Sequence, residues 1–257
     1  MRVAKWCRLQ IGAGVQVPPN AARELIRWGL EDEMEKISSK PTLLNYRNWK
    51  TGEAHGSSKL SNHKARFRAP YWQVFRPDYH TILLKAALKA GATLRSGCTV
   101  IGYEAEKGTV ILQSGEKVVG DLIVACDGVK SIARKAIGQN VEPHETGDTC
   151  FRAVIPGEVL LQDPELAPLV RDPGFEQWLG PDHHIIGYVS STCLIRTRLI
   201  GIIRYNMQKE KTYNLLMVIP DDHSMVGYKA PASASEVRKA FKGWNPVLVP
   251  QLRAVLK

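Results

Sequence analysis

The chain has no Cys-x-x-Cys pair, and its five cysteines (Cys7, Cys98, Cys126, Cys150 and Cys193) are odd in number and widely spaced. That pattern excludes a zinc ribbon and a disulfide framework, and it points to a reducing, cytoplasmic compartment. No apolar run reaches the roughly 20 residues of a membrane span. Arg2, Lys5 and Arg8 open the chain without a continuous apolar stretch beside them, so a secretory signal is not expected. Acidic residues are the minority, 25 against 35 Lys and Arg, which gives a net charge of +10. The excess favours anionic partners. It is spread along the chain, with no zinc-finger spacing and no RRM-like aromatic run, so nucleic acid is not an expected partner. A phosphate-bearing dinucleotide or an aromatic carboxylate fits the charge better. No metal site is expected either: His183 and His184 are adjacent, which on a strand sends them to opposite faces.

What is present is the composition of a folded α/β chain, 44% hydrophobic over 257 residues. Asn20 is a candidate N-cap for a helix from Ala21 to about Trp28, ended by Gly29. Leu43–Trp49 reads as strand, and Gly56 to Asn62 as loop. Arg76-Pro77-Asp78 opens a helix in which Ile82, Leu83, Ala86, Ala87 and Ala90 repeat at helical spacing, closed by Gly91. Thr93–Tyr103, Thr109–Gln113 and Lys117–Cys126 read as three strands, the last ending in a buried run, Leu122 to Cys126. Beyond Arg134 the pattern becomes strand-rich, with candidates at Cys150–Ile155, Trp178, Ile185–Tyr188 and Tyr213–Ile219. Ser235 is the expected cap of a final helix. The change near residue 140 predicts two domains, 1–140 and 141–257.

Gly12-Ala13-Gly14 invites a dinucleotide fingerprint, but the spacing argues against one. The third glycine position holds Val17, and Pro18-Pro19 blocks an immediate helix continuation. The stronger signal is Gly120-Asp121-Leu122-Ile123-Val124-Ala125-Cys126-Asp127-Gly128-Val129-Lys130-Ser131-Ile132-Ala133-Arg134. Its Asp-Gly turn places a carboxylate and an open backbone at a strand's carboxyl end, where α/β sheets bind ligands. Arg76, at the start of a helix, adds a cation where amide donors already point, which suits an anion such as pyrophosphate.

Together these strings resemble the FAD-dependent aromatic-ring monooxygenases, the salicylate and p-hydroxybenzoate hydroxylase-like family. Ile11-Gly12-Ala13-Gly14-Val15-Gln16-Val17-Pro18-Pro19-Asn20-Ala21 is similar to the segment in which that family's chain passes along the flavin. Trp72 to Leu84 resembles its arginine-bearing helix entry, and Gly120 to Arg134 its second nucleotide motif. The resemblance implies a partial FAD-binding domain of the glutathione-reductase-like Rossmann type at 1–140, and a β-sheet-rich substrate domain at 141–257. It implies cofactor contacts at Gly12, Ala13, Gly14, Arg76, Asp127 and Gly128. Phe151-Arg152-Ala153-Val154-Ile155-Pro156 and His183-His184-Ile185-Ile186-Gly187-Tyr188 are similar to the strands holding an arginine and a tyrosine on a phenolate. Arg152 and Tyr188 are thereby the candidate catalytic pair. The implied activity is NAD(P)H-driven hydroxylation of a phenolic or salicylate-like small molecule.

Three features depart from the family. The start lacks its Gly-rich phosphate loop and acidic ribose ligand, and no Gly-Asp…Ala-His flavin motif follows Trp244-Asn245-Pro246. Val189 to Tyr205 reads as an insertion, opening Val-Ser as translation through an unspliced intron would. The alternative function is therefore a catalytically inactive fragment, truncated at both ends.

Overall fold

The computed structural model describes residues 2–4, 14–172, 174–192, 210–221 and 233–245. The chain divides into two compact units, 1–10 with 84–146, and 11–83 with 147–257. A single cut near residue 140 therefore does not follow the contacts. The early strands belong to the same sheet as the late ones, and the division falls inside the helix Arg76–Lys89.

The larger unit is built on a nine-stranded sheet. In chain order its strands are β1 Gly14–Val17, β2 Ser38–Ser39, β3 Leu43–Asn48, β4 Ala54–Lys59 and β5 Trp72–Phe75. They are followed by β6 Asp148–Pro156, β7 Phe175–Leu179, β8 His184–Thr192 and β9 Glu210–Pro220. The main path runs β6-β9-β8-β7-β3-β4, and β5 joins β1 and β2 to β8. One face of β6, β7, β8 and β9 carries Ile155, Trp178, Ile185, Val189, Tyr213, Leu215 and Met217. This face packs on Leu160, Val170, Val237, Phe241 and Trp244 of the flanking helical segments. The alternation of large apolar side chains along β9 is what a sheet with one covered face requires.

Away from this core, Val17 of β1, Trp72 and Val74 of β5, and Ala22, Leu25 and Met34 are all buried as well. The helix α1, Pro19–Arg27, supplies Ala22 and Leu25, and α2, Glu31–Ile37, supplies Met34. Pro19 does not delay α1. It occupies the first helical turn, where a missing N–H is harmless, and Pro18 rather than Asn20 is the cap residue. The final helix, Ala234–Ala240, is capped by Ser233 in a reciprocal capping box with Glu236, two residues before the expected Ser235. Residues 56–59, expected as loop, belong to exposed edge strand β4. Edge strands tolerate such polar sequence because one side faces water.

The smaller unit holds a three-stranded antiparallel sheet of Val100–Glu104, Thr109–Leu112 and Lys117–Val119. Arg2–Ala4 pairs in parallel with Leu94–Ser96. The expected buried strand at 122–126 does not form. Leu122 is 81% exposed and Val124 72%. An apolar run becomes a strand only beside a partner, and among the described residues no strand pairs with this one. The three beginning residues, which were not expected as strand, pair because Leu94–Ser96 offers them a free edge.

Val189 to Thr192, the first four positions of the presumed insertion, continue β8 in register with Glu210 to Tyr213. The remainder of that insertion lies outside the described residues, as do Gly12, Ala13, Cys7 and Cys193.

Candidate active site

The face of the large sheet opposite its core is polar and aromatic, and it gathers three of the predicted residues. Register places Arg152 opposite Leu216, and Tyr188 opposite Asn214. Directly opposed residues share a face, so Arg152, Asn214 and Tyr188 lie on one side. Tyr188 is buried, and its ring stacks on Phe175 with centroids 5.7 Å apart. On the other side it is met by backbone: a Cβ on Gly14 would lie 2.4 Å from Tyr188 Cε2 and 2.7 Å from its hydroxyl oxygen. Only glycine lets β1 come this near.

Asn214 fixes that approach. Its Oδ1 accepts from the Gly14 N–H at 2.6 Å, and its Nδ2 donates to Ser190 Oγ at 2.8 Å. Ser190 Oγ is in turn 3.0 Å from Thr212 Oγ1. Sequence reasoning missed Asn214, because a buried amide in a strand leaves no spacing signal. Its neighbours Tyr213 and Leu215 gave only the strand.

Tyr71 and Tyr46 join the same electrostatic neighbourhood. Tyr71 donates to Gln16 Oε1. Burial, with a smaller push from Tyr46, raises the Tyr71 hydroxyl to about 12. Burial is the main cause that holds the Tyr188 hydroxyl at about 12, against a lowering by Arg152 and with a smaller rise from Tyr71. Arg152 itself is exposed. A cation beside a buried phenol group is the arrangement that favours an ionised ring oxygen on a ligand placed there.

These raised values have a consequence in alkali. Against the ordinary tyrosine value of 10.0, the folded chain holds protons on Tyr71 and Tyr188 up to about 12. Their contribution is complete below the ordinary value and is lost as pH rises through the folded one. Thermal melts from pH 9 to about pH 12 are expected to fall steeply above pH 10. They should fall less steeply in Tyr188→Phe; equal slopes in the two proteins contradict the assignment.

Arg76 stands exposed at the first position of a fourteen-residue helix, Arg76–Lys89. In the smaller unit, Gly128 has φ +82 and nothing within 4 Å of where a Cβ would project. Asp127 is exposed and raises the Tyr103 hydroxyl, after burial has done so. The following turn is closed by Ser131 N–H to Gly128 O at 3.0 Å and by the Arg134 guanidinium on Val129 O. An open backbone at Gly128 and a cation at a helix start both fit a flavin nucleotide. Each residue belongs to its own unit. His183 serves packing: Nδ1 lies 2.9 Å from Pro181 O, and the ring meets Phe241 edge-on.

Comparison with known proteins agrees with this architecture. Residues 21–217 match the FAD binding domain family, so the chain belongs to that family. The FAD-dependent monooxygenase OpS4 of Beauveria bassiana is 30% identical over 249 residues, covering 93% of this chain and 53% of the relative. The 3-amino-4-hydroxybenzoate 2-monooxygenase PtnB3 of Streptomyces platensis is 26% identical over 235 residues, covering 91% of this chain and 54% of the relative. A solved salicylate hydroxylase substrate complex shares the fold with a TM-score of 0.68 at 19% identity, covering 95% of this chain and 59% of that one. The chain thus spans about half the length of the curated relatives it matches. No helix among the described residues is long and apolar enough to cross a membrane.

Proposed function

We propose that the chain carries the ring-binding face of an FAD-dependent, NAD(P)H-using monooxygenase that hydroxylates a phenolic or salicylate-like small molecule. The observation that supports this best is the meeting of Gly14, Tyr188 and Arg152, three residues distant in sequence, on one polar face. The name of PtnB3 specifies a hydroxybenzoate, the same ligand chemistry. When bound, FAD supplies reduction by NAD(P)H and the activation of oxygen. The residues of this chain do the rest. Arg152 faces the ring oxygen and stabilises its ionised form. Tyr188 holds its proton and donates to that oxygen. Phe175 and the Gly14 backbone fix the plane of the tyrosine ring. Within the larger unit, Arg76 would hold the pyrophosphate and Gly14 would contact the flavin; within the smaller unit, Asp127 and Gly128 offer a separate nucleotide contact.

A second reading, an inactive fragment, is favoured by one observation: Leu122 and Val124 stand in solvent where a flavin-supporting strand was expected. FAD titration of the 257-residue chain, followed by flavin fluorescence, separates the two. Saturable one-to-one binding, weakened at least about tenfold by Arg76→Ala, is expected for the first reading. Absence of binding by the folded chain supports the second.

A further inference from the structure

Gln73 has no exposed surface, yet neither Nε2 nor Oε1 of its side chain has a hydrogen-bond partner among the described residues. Burying both halves of an amide unpaired forfeits the hydration of each, and folded proteins accept this rarely. The position of Gln73 suggests the compensation. It lies on β5, in register with Gln16 of β1 and Ser39 of β2. Opposed residues share a face, and alternation along β1 adds Gly14 to it. On this face Gly14 abuts the Tyr188 ring and Gln16 accepts from Tyr71. Ser39 Oγ donates to Val189 O at 2.7 Å. Gln73 therefore stands beside the aromatic site, and its polar neighbours have other partners: Gln16 takes Tyr71, and Ser39 Oγ turns to the Val189 and Gln73 backbone carbonyls.

We propose that Gln73 is a ligand-contacting specificity residue of the Tyr188 site, its amide donating to and accepting from one substituent of the bound ring. The proposal rests on the reading of that site as the ring-binding site. A side-chain amide with both atoms available matches a substituent that donates and accepts through neighbouring atoms. A carboxamide and the lactam form of a hydroxypyridine have that character; the single hydroxyl of phenol does not. The favoured ring is thus hydroxylated and carries an amide-like group beside the hydroxyl.

The test is calorimetric titration of the full chain with 2-hydroxybenzamide and with phenol, on wild type, Gln73→Leu and Tyr188→Phe. Gln73→Leu removes two unpaired polar atoms at similar size, so it is expected to fold, as circular dichroism would show. Gln73→Met, which also lacks both polar atoms and fills the space with a flexible side chain, serves in its place if it does not. Wild type is expected to bind 2-hydroxybenzamide about tenfold or more tightly than phenol, as two added hydrogen bonds allow. Either Gln73 variant should erase most of that ratio and leave phenol affinity within about twofold. Tyr188→Phe should weaken both rings. A wild-type ratio carried unchanged into the Gln73 variants overturns the proposal and leaves the ring site standing. A fall in FAD affinity with the ring ratio unmoved assigns Gln73 to the flavin and also overturns it. Failure of wild type to bind either ring overturns the ring site and the proposal with it.

Discussion

Gly187→Ala is expected to cost about 3 kcal/mol of folding stability, measured as a lowered urea midpoint at unchanged slope. The added Cβ would lie 2.0 Å from Tyr213 Oη and 2.7 Å from Cζ. Tyr213 cannot give way. It is 1% exposed, on β9 between β6 and β8, and is enclosed by the cluster that includes Ile155, Val189 and Leu215. A hydroxyl that blocks one methyl group also has no hydrogen-bond partner of its own among the described residues. Tyr213→Phe alone should therefore be neutral or slightly stabilising, because it removes an unpaired buried polar atom. Combined with Gly187→Ala it should recover a substantial part of the loss, since the nearest obstructing atom is gone. The remaining ring carbons prevent full recovery. A Gly187→Ala protein within about 0.5 kcal/mol of wild type would show that β8 and β9 have slack that their packing denies.

Gly14→Ala is expected to act on the site as well as on stability. Its Cβ would meet Tyr188 at Cε2, Oη and Cζ, at 2.4, 2.7 and 2.8 Å. The ring cannot retreat, because Phe175 is stacked on it at 5.7 Å. Strand β1 must move instead, which breaks the 2.6 Å bond from its N–H to Asn214. The expected stability loss is about 2 kcal/mol. The expected loss of 2-hydroxybenzamide affinity is at least about tenfold, because the displaced phenol group and Asn214 belong to one connected network. Pairing Gly14→Ala with Tyr188→Ala separates the effects: the double variant has room for the methyl group and should regain stability without regaining affinity. Ring affinity that survives Gly14→Ala would mean that Tyr188 does not touch the ligand.

The sequence made much of this architecture readable, for identifiable reasons. The helix at Arg76–Lys89 announced itself through spaced apolar residues and a closing glycine, both local signals. Arg152 and Tyr188 were reached by resemblance, and the register then placed them on one face. Asn214 and Gln73 were not legible. Each matters because of a partner it has or lacks across the sheet, and hydrogen-bond partners 200 positions apart, as Gly14 and Asn214 are, leave no mark in local pattern. The run at 122–126 failed in the opposite direction. Its residues have every local preference of a buried strand, but strand formation is decided by a neighbour, and composition cannot supply one.

The position of β9 sets the order in which this molecule can assemble. Residues 210–220 lie between β6 and β8, so a strand in the middle of the sheet is synthesised after all the other described strands. Until then β6 and β8 each keep an unpaired edge, and Gly14 waits for an anchor far downstream. Folding that depends on such distant pairings is slow, and open edges invite association with other chains meanwhile. Any delay in making β9 lengthens the interval in which those open edges can associate.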